Sequence, residues 1–405
     1  MGIWARADYR WWLAGDTSGS LALSLKVFVV PLIAFALTRS TVQAGLIGTV
    51  VAAVSLLTSL LGGVIVDRHD RRALMRIHSA FGIAVSALVI GLQLSGRLTF
   101  EWLLGLVSVW ALSGGLVGNA ADAALRSIVS DTEYPQAVAT NQGRDAAIGL
   151  VAAPIAAALY GADNWAPFGL SLLAYLLLGV STWLIRSDLH PPAYQRGSAI
   201  GDMFSGVAWM RRRRRMRTLL LIAMLANLGM VGMMYSFELS LIANGMPPTQ
   251  IGSLTAAVAL AGILGSLLAG RVVQRFATGR VVAFAMAWVC ASLLPALFWN
   301  SYWVMLASLA AESLVPPVLI SALVGYLYGQ TPIELQGRVQ SITMLSTGAL
   351  GALAPFAAGF LLAAVGYFLT IGTFFIFLLV PAAIASASPL IRQIPAPSEW
   401  KNCPL

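Results

Sequence analysis

The stretch Gly62-Gly63-Val64-Ile65-Val66-Asp67-Arg68-His69-Asp70-Arg71-Arg72 follows directly on an apolar run of helix length. Two glycines stand near the end of that run, and a dense cluster of charge begins at Asp67. Backbone groups in hydrocarbon must bond within their own segment, so a spanning run is a helix. A charge cluster of this density marks the place where such a helix leaves the lipid and turns into the next one.

Working outward, the composition agrees. The 405 residues are 59% hydrophobic and 10% charged, with a mean hydropathy of +0.82. A soluble domain carries roughly a quarter charged residues. The apolar runs are continuous rather than alternating, which argues against a β-barrel. The reading is an all-α membrane protein of twelve transmembrane helices. These are expected at about 11–37, 44–66, 77–96, 102–124, 140–161, 166–185, 218–243, 249–273, 281–299, 302–328, 339–365 and 367–389, each close to the ~20 residues a bilayer needs. The first run is too long for a cleavable leader and lacks a cleavage site, so it is read as an uncleaved span.

The net charge of +9 is explained by topology. With both termini in the cytoplasm, 22 of the 25 Lys and Arg residues fall on that side, and Lys26, Arg39 and Arg97 are the exceptions. The positive-inside rule therefore orients the chain in the cell membrane. The run Arg211 to Arg215 belongs to a cytoplasmic linker expected to lie on anionic lipid headgroups, so no nucleic-acid partner is called for. Cys290 and Cys403 make no disulfide framework or thiolate site. His69, His78 and His190 fall at or near expected loops, so no metal centre and no cofactor is expected.

The second half repeats the first. Gly45 and Gly63 are 18 residues apart, as are Gly252 and Gly270, and Ser59-Leu60-Leu61-Gly62-Gly63 matches Ser266-Leu267-Leu268-Ala269-Gly270. Ala153-Pro154 with Ala157 finds a counterpart in Ala354-Pro355 with Ala358. The implied domains are a six-helix bundle over 1–185, a linker over 186–217, and a second bundle with a short tail over 218–405.

These residues resemble the major facilitator superfamily over nearly the whole chain. Gly63-x-x-x-Asp67-Arg68-x-x-Arg71-Arg72 is similar to the family's loop 2–3 signature, with Asp70 where the family usually has Gly. Gly149, Ala153, Pro154 and Ala157 resemble a worn form of the antiporter motif of span five, a helix-packing element. Asp8-Tyr9-Arg10 with Trp11-Trp12, Leu37-Thr38-Arg39-Ser40 and Glu334-Leu335-Gln336-Gly337-Arg338-Val339 are similar to the bacterial branch of enterobactin-type siderophore exporters and macrolide efflux pumps. The resemblance implies two pseudo-symmetric bundles and proton-driven export of a small organic molecule, by a monomer whose other partners are protons and membrane lipids. Siderophore export and antibiotic resistance are the roles it suggests. It also implies a conformational latch of Gly63, Asp67, Arg68, Arg71, Arg72 and Asp122. In that latch Asp67 meets span eleven in one state and Arg71 pairs with Asp122. The other reading of the motif is a solvated turn that only sets topology.

Four ionisable residues fall within spans, where charge is costly and usually lines a cavity or serves a function. Asp16 near the end of span one is either an interfacial acid or functional. Glu238 and Glu312 are proton or substrate candidates, the alternative being structural partners of a basic or polar group. Lys26 could snorkel, pair with an acid, or neutralise an anionic substrate. Asp16 and Lys26 are ten residues apart, about 15 Å along a helix, and cannot pair with each other. Arg144 and Asp145 are expected to join a charge network with Arg126. Asp122 and Arg126 stand four apart on one helix face. No clustered catalytic groups and no Gly-x-x-x-x-Gly-Lys phosphate loop occur, so an enzyme or an ATP-driven pump is not expected. An importer or facilitator of a small metabolite is the nearest alternative, and a non-transporting membrane receptor or scaffold is the alternative of another class.

Overall fold

The computed structural model describes residues 3–191 and 208–402. Pro192 and the following linker residues to 207, and Cys403, lie outside the described residues. Among the described residues, eleven helices are long and apolar enough to cross a membrane. The last, Leu335–Ala387, is two spans in one: Gly366 interrupts it with φ 77° and ψ −178°, a backbone conformation that glycine tolerates. The break falls where the sequence places the boundary between spans eleven and twelve.

The spans are numbered here in chain order. The first six are Ala7–Thr38, Thr41–Val66, Arg71–Leu94, Phe100–Ile128, Tyr134–Ala162 and Ala166–Leu184. Spans seven to ten are Arg214–Ala243, Pro248–Arg275, Thr278–Leu297 and Tyr302–Gly329, and spans eleven and twelve share Leu335–Ala387. Most ends extend a few residues beyond the apolar runs, because caps and charged first turns carry the helix past the lipid edge. Ser40 caps span two by accepting from the Gln43 amide, and Thr99 caps span four by accepting from Trp102. Asp70 caps span three: its carboxylate accepts the Arg72 N–H at 3.0 Å. Asp70→Ala is expected to cost about 1 kcal/mol and Asp70→Gly only a few tenths, read as the order of melting temperatures in detergent. Glycine is thus an acceptable cap at this position.

By contacts the chain forms two compact units, one of Met1–Gln195 with Ile242–Ala256, the other of Arg196–Leu241 with Ala257–Leu405. The start of span eight groups with the first unit, where Gly252 lies against the Ala153 carbonyl and the Ala157 methyl. These two alanines belong to the motif noted on span five, and their small size admits this close approach. Pro154 sits inside span five, and Gly149 is exposed with nothing against its Cα.

In the first unit, spans one and six pack through Gly15, where a Cβ would strike Ser181 Oγ. Spans two and four pack through Gly62 and Gly115. A Cβ on Gly62 would strike the Gly115 carbonyl, and one on Gly115 would strike Thr58 and the Ser55 carbonyl. In the second unit, spans seven and twelve pack through Gly229 and Gly232 against Leu378 and Phe374, and spans eight and ten through Gly265 against Leu314. Thr58 stands 13 residues after Gly45, and Gly265 stands 13 after Gly252. The repeat seen in sequence is therefore a repeat of helix contacts. The tail is docked within the second unit: Thr278 and Gly279 donate backbone N–H groups to Pro395 and Ile394, and Trp400 Nε1 donates to Thr278 at 3.0 Å.

Candidate functional site

The charged motif after span two builds a clasp at the arginine-bearing end of the first unit. Arg71 is 8% exposed and donates to Ser127 Oγ at 2.9 Å. It does not pair with Asp122, contrary to the sequence expectation. The charge–charge partner that the resemblance implied is replaced by a hydroxyl one turn and a residue further along span four. Arg72 donates to the Ser187 carbonyl at 2.7 Å, and Arg76 donates to Thr182 while lying 3.9 Å over the Trp183 ring. Asp8 accepts the backbone N–H groups of Arg186 and Ser187 at 3.1 and 2.8 Å. Arg6 pairs with Glu133 at 2.9 Å, whose carboxyl the Ser130 hydrogen bonds hold below the usual range. Both ends of the six-helix run are thus tied together. Asp67 and Arg68 are exposed and, among the described residues, make no side-chain hydrogen bond or ion pair.

A second group joins spans one, four and five. Asp16 and Arg144 form an ion pair with side chains 13% and 12% exposed. Arg144 also pairs with Asp145 at 2.7 Å, and Asp122 lies within electrostatic reach of Arg144, Asp145 and Asp16. Asp16 is therefore held in an ion pair between spans one and five. Arg126 is not in this group: its guanidinium stacks over Tyr134 and donates to the Tyr134 hydroxyl, with no ion pair to Asp122.

Lys26 is 2% exposed, so it does not snorkel, and it has no acidic partner among the described residues. Its Nζ lies 4.5 Å from the Tyr175 ring and 5.2 Å from the Trp110 ring, and makes no hydrogen bond. Trp110 Nε1 donates to the Tyr175 hydroxyl at 2.9 Å, and Gly82 leaves room for the Tyr175 ring against span three. His78, expected near a loop, is instead turned inward against Tyr175 at 5.6 Å, its Nδ1 buried without a partner. It lies nearly two turns beyond Arg72, the last arginine of the motif, where the helix already runs inside the bundle. Sequence reading missed it because a histidine so close to a charge cluster reads as part of the loop.

In the second unit, span ten breaks at Leu314 and Val315, just before Pro316 and Pro317. Glu312 sits in the last turn before the break and is 7% exposed. Among the described residues its carboxylate accepts one hydrogen bond, from Ser313 Oγ at 3.2 Å, and has no cation. Span four also breaks, without a proline, at Gly118 and Asn119, close to Asp122 in sequence. Glu238 on span seven is half-buried, three residues from Tyr235 and within its electrostatic reach. No group of three His, Cys, Asp or Glu side chains among the described residues is placed to hold a metal ion.

The Major Facilitator Superfamily profile matches residues 18–244 and 219–402. The chain belongs to the Major Facilitator Superfamily. As a superfamily member it is a multi-pass membrane protein with a transporter fold. It is similar in structure to a bacterial homologue of the human lysosomal transporter Spinster, with a TM-score of 0.73 and 14% identity, covering 96% of this chain and 98% of that one. It is also similar to the nucleoside transporter NupG, with a TM-score of 0.70 and 12% identity, covering 93% and 99%. A bacterial homologue of the iron transporter ferroportin gives a TM-score of 0.69 at 17% identity, covering 93% and 98%. At these identities the likeness shows the fold. No curated protein matches the chain in sequence.

Proposed function

We propose that this superfamily member is a proton-coupled antiporter that exports a small organic molecule, siderophore or drug-like, by alternating access. It would act as a monomer in the cytoplasmic membrane, with both termini inside. The observation that carries the reading is Glu312: an acid buried at a helix break which, among the described residues, has one hydroxyl partner and no cation. Such a carboxylate is costly inside a span, and a proton taken up on it removes the charge. Glu238 is the second candidate on the same unit. Export rather than uptake is supported by the residues similar to the siderophore and macrolide exporters.

The latch reading takes a different form from the one the motif suggests by itself. Arg71, Arg72 and Arg76 hold the first unit together, while Asp67 and Arg68 have no side-chain partner among the described residues. Those two are the part of the motif able to change partners between states.

The test is an efflux and growth-inhibition panel in a pump-deleted host, with and without an uncoupler. Expression should protect against at least one compound, and the uncoupler should abolish the protection. Glu238→Gln with Glu312→Gln should reduce efflux to the level of the empty host. Uncoupler-sensitive efflux that survives both substitutions rejects these acids as the proton site. Accumulation in whole cells, in place of export, rejects the direction.

A further inference from the structure

Among the described residues, the first unit holds a buried cation with no anion paired to it. Lys26 Nζ is buried, unbonded, and faced by the rings of Tyr175 and Trp110 at 4.5 and 5.2 Å. A second base, His78, whose Nδ1 is also buried and unbonded, packs edge-on against the same Tyr175 ring at 5.6 Å, so the two bases share one aromatic neighbour. Aromatic faces attract an ammonium most strongly when it is desolvated. The box therefore accommodates one positive charge, while repulsion between neighbouring bases disfavours two.

The groups around the pair are few. Span six brings Tyr175, whose hydroxyl accepts from Trp110. Span four brings Trp110, with Glu101, Asp122 and Arg126 nine or more residues from it along the chain. On span three the nearest cation, Arg76, is committed to Thr182 and Trp183. Span two carries no charged residue between Thr41 and Val66. Arg144 and Asp145 of span five are committed to Asp16 and to each other.

We propose that Lys26 and His78 form a proton-binding site within the first unit, holding one proton between them in a box closed by Tyr175 and Trp110. This goes beyond the function above, and stands whether or not Glu312 and Glu238 carry the coupled proton. Release breaks one N–H bond; the electron pair stays on nitrogen and the proton passes to water entering the box. As coupled bases the two titrate as a pair rather than singly.

The experiment counts protons bound by purified protein in detergent between about pH 4 and pH 11, a range spanning the ordinary histidine and lysine midpoints. The Lys26→Met/His78→Phe double variant is expected to bind one proton fewer than the wild type over that range. A deficit of two means independent bases, and a deficit of zero means a structural lysine that never releases its proton. Either overturns the proposal. Should the double variant not fold, Trp110 is the reporter. The emission difference between the wild type and Trp110→Phe should show a step with pH as the ammonium over the indole comes and goes. A flat difference overturns the proposal. Because neither measurement involves transport, failure here is distinguishable from failure of the export reading.

Discussion

Arg144→Ala is expected to destabilise the first unit by about 3–5 kcal/mol, the cost of stranding a buried charge by removing its partner. Asp16 would keep a carboxylate 13% exposed with no cation beside it. Asp122 and Asp145 would face it with nothing to offset their mutual repulsion, since all three acids lie within electrostatic reach of Arg144 or of one another. The pair also joins span one to span five, so its loss loosens a helix contact as well as an electrostatic one. Asp16→Asn combined with Arg144→Gln should recover most of the loss, because two neutral amides can bond to each other and leave no charge unpaired. Asp145→Asn should matter little, since its carboxylate is 58% exposed and solvent screens the pair. Thermal unfolding in detergent measures the series. Melting of Arg144→Ala within error of the wild type would show that the ion pair contributes nothing.

The second large effect is steric and falls on adjacent residues of the opening motif. Gly62→Leu should abolish a monodisperse, folded protein, whereas Gly63→Leu should leave it intact. At Gly62 the added carbons meet the carbonyls of Gly115 and Leu116, backbone atoms of a packed helix that cannot rotate aside. Overpacking a tight core costs typically about 1–3 kcal/mol, and more where backbone must move. Gly63 is exposed, with nothing within 4 Å of a Cβ placed there. Gly115→Val, on the other side of the crossing, should behave like Gly62→Leu. Size-exclusion profiles of fluorescently tagged variants provide the comparison, and equal profiles for the Gly62 and Gly63 variants would refute it.

The same pair of glycines shows how much of the site was legible beforehand. Pattern matching selects Gly63, which aligns with Gly270 in the repeat, yet the helix crossing is made at Gly62. Arg71 is similar: the resemblance implies an acid on span four, and the structure supplies Ser127. Lys26 was visible as an anomaly, but none of the partners considered for it was an aromatic box. His78 was read as a loop residue. In each case the missing information was the rotation of one helix against another, which hydropathy does not encode.

What the amino-acid sequence determined was the number of spans, their order, the internal repeat and the family. All four follow from one-dimensional facts: hydrocarbon thickness sets span length, lipid forbids unbonded backbone, and charge marks the turns between helices. The division of Leu335–Ala387 at Gly366 falls at the boundary expected between spans eleven and twelve. Tertiary structure alone decided which side chains meet: Asp16 with Arg144, Arg72 with Ser187, Lys26 with Tyr175 and Trp110. Lipid is as apolar as the bundle interior, so the hydrophobic pattern carries little signal about which face of a span turns inward. Small-residue packing and polar contacts set that rotation, and they act between helices distant in sequence.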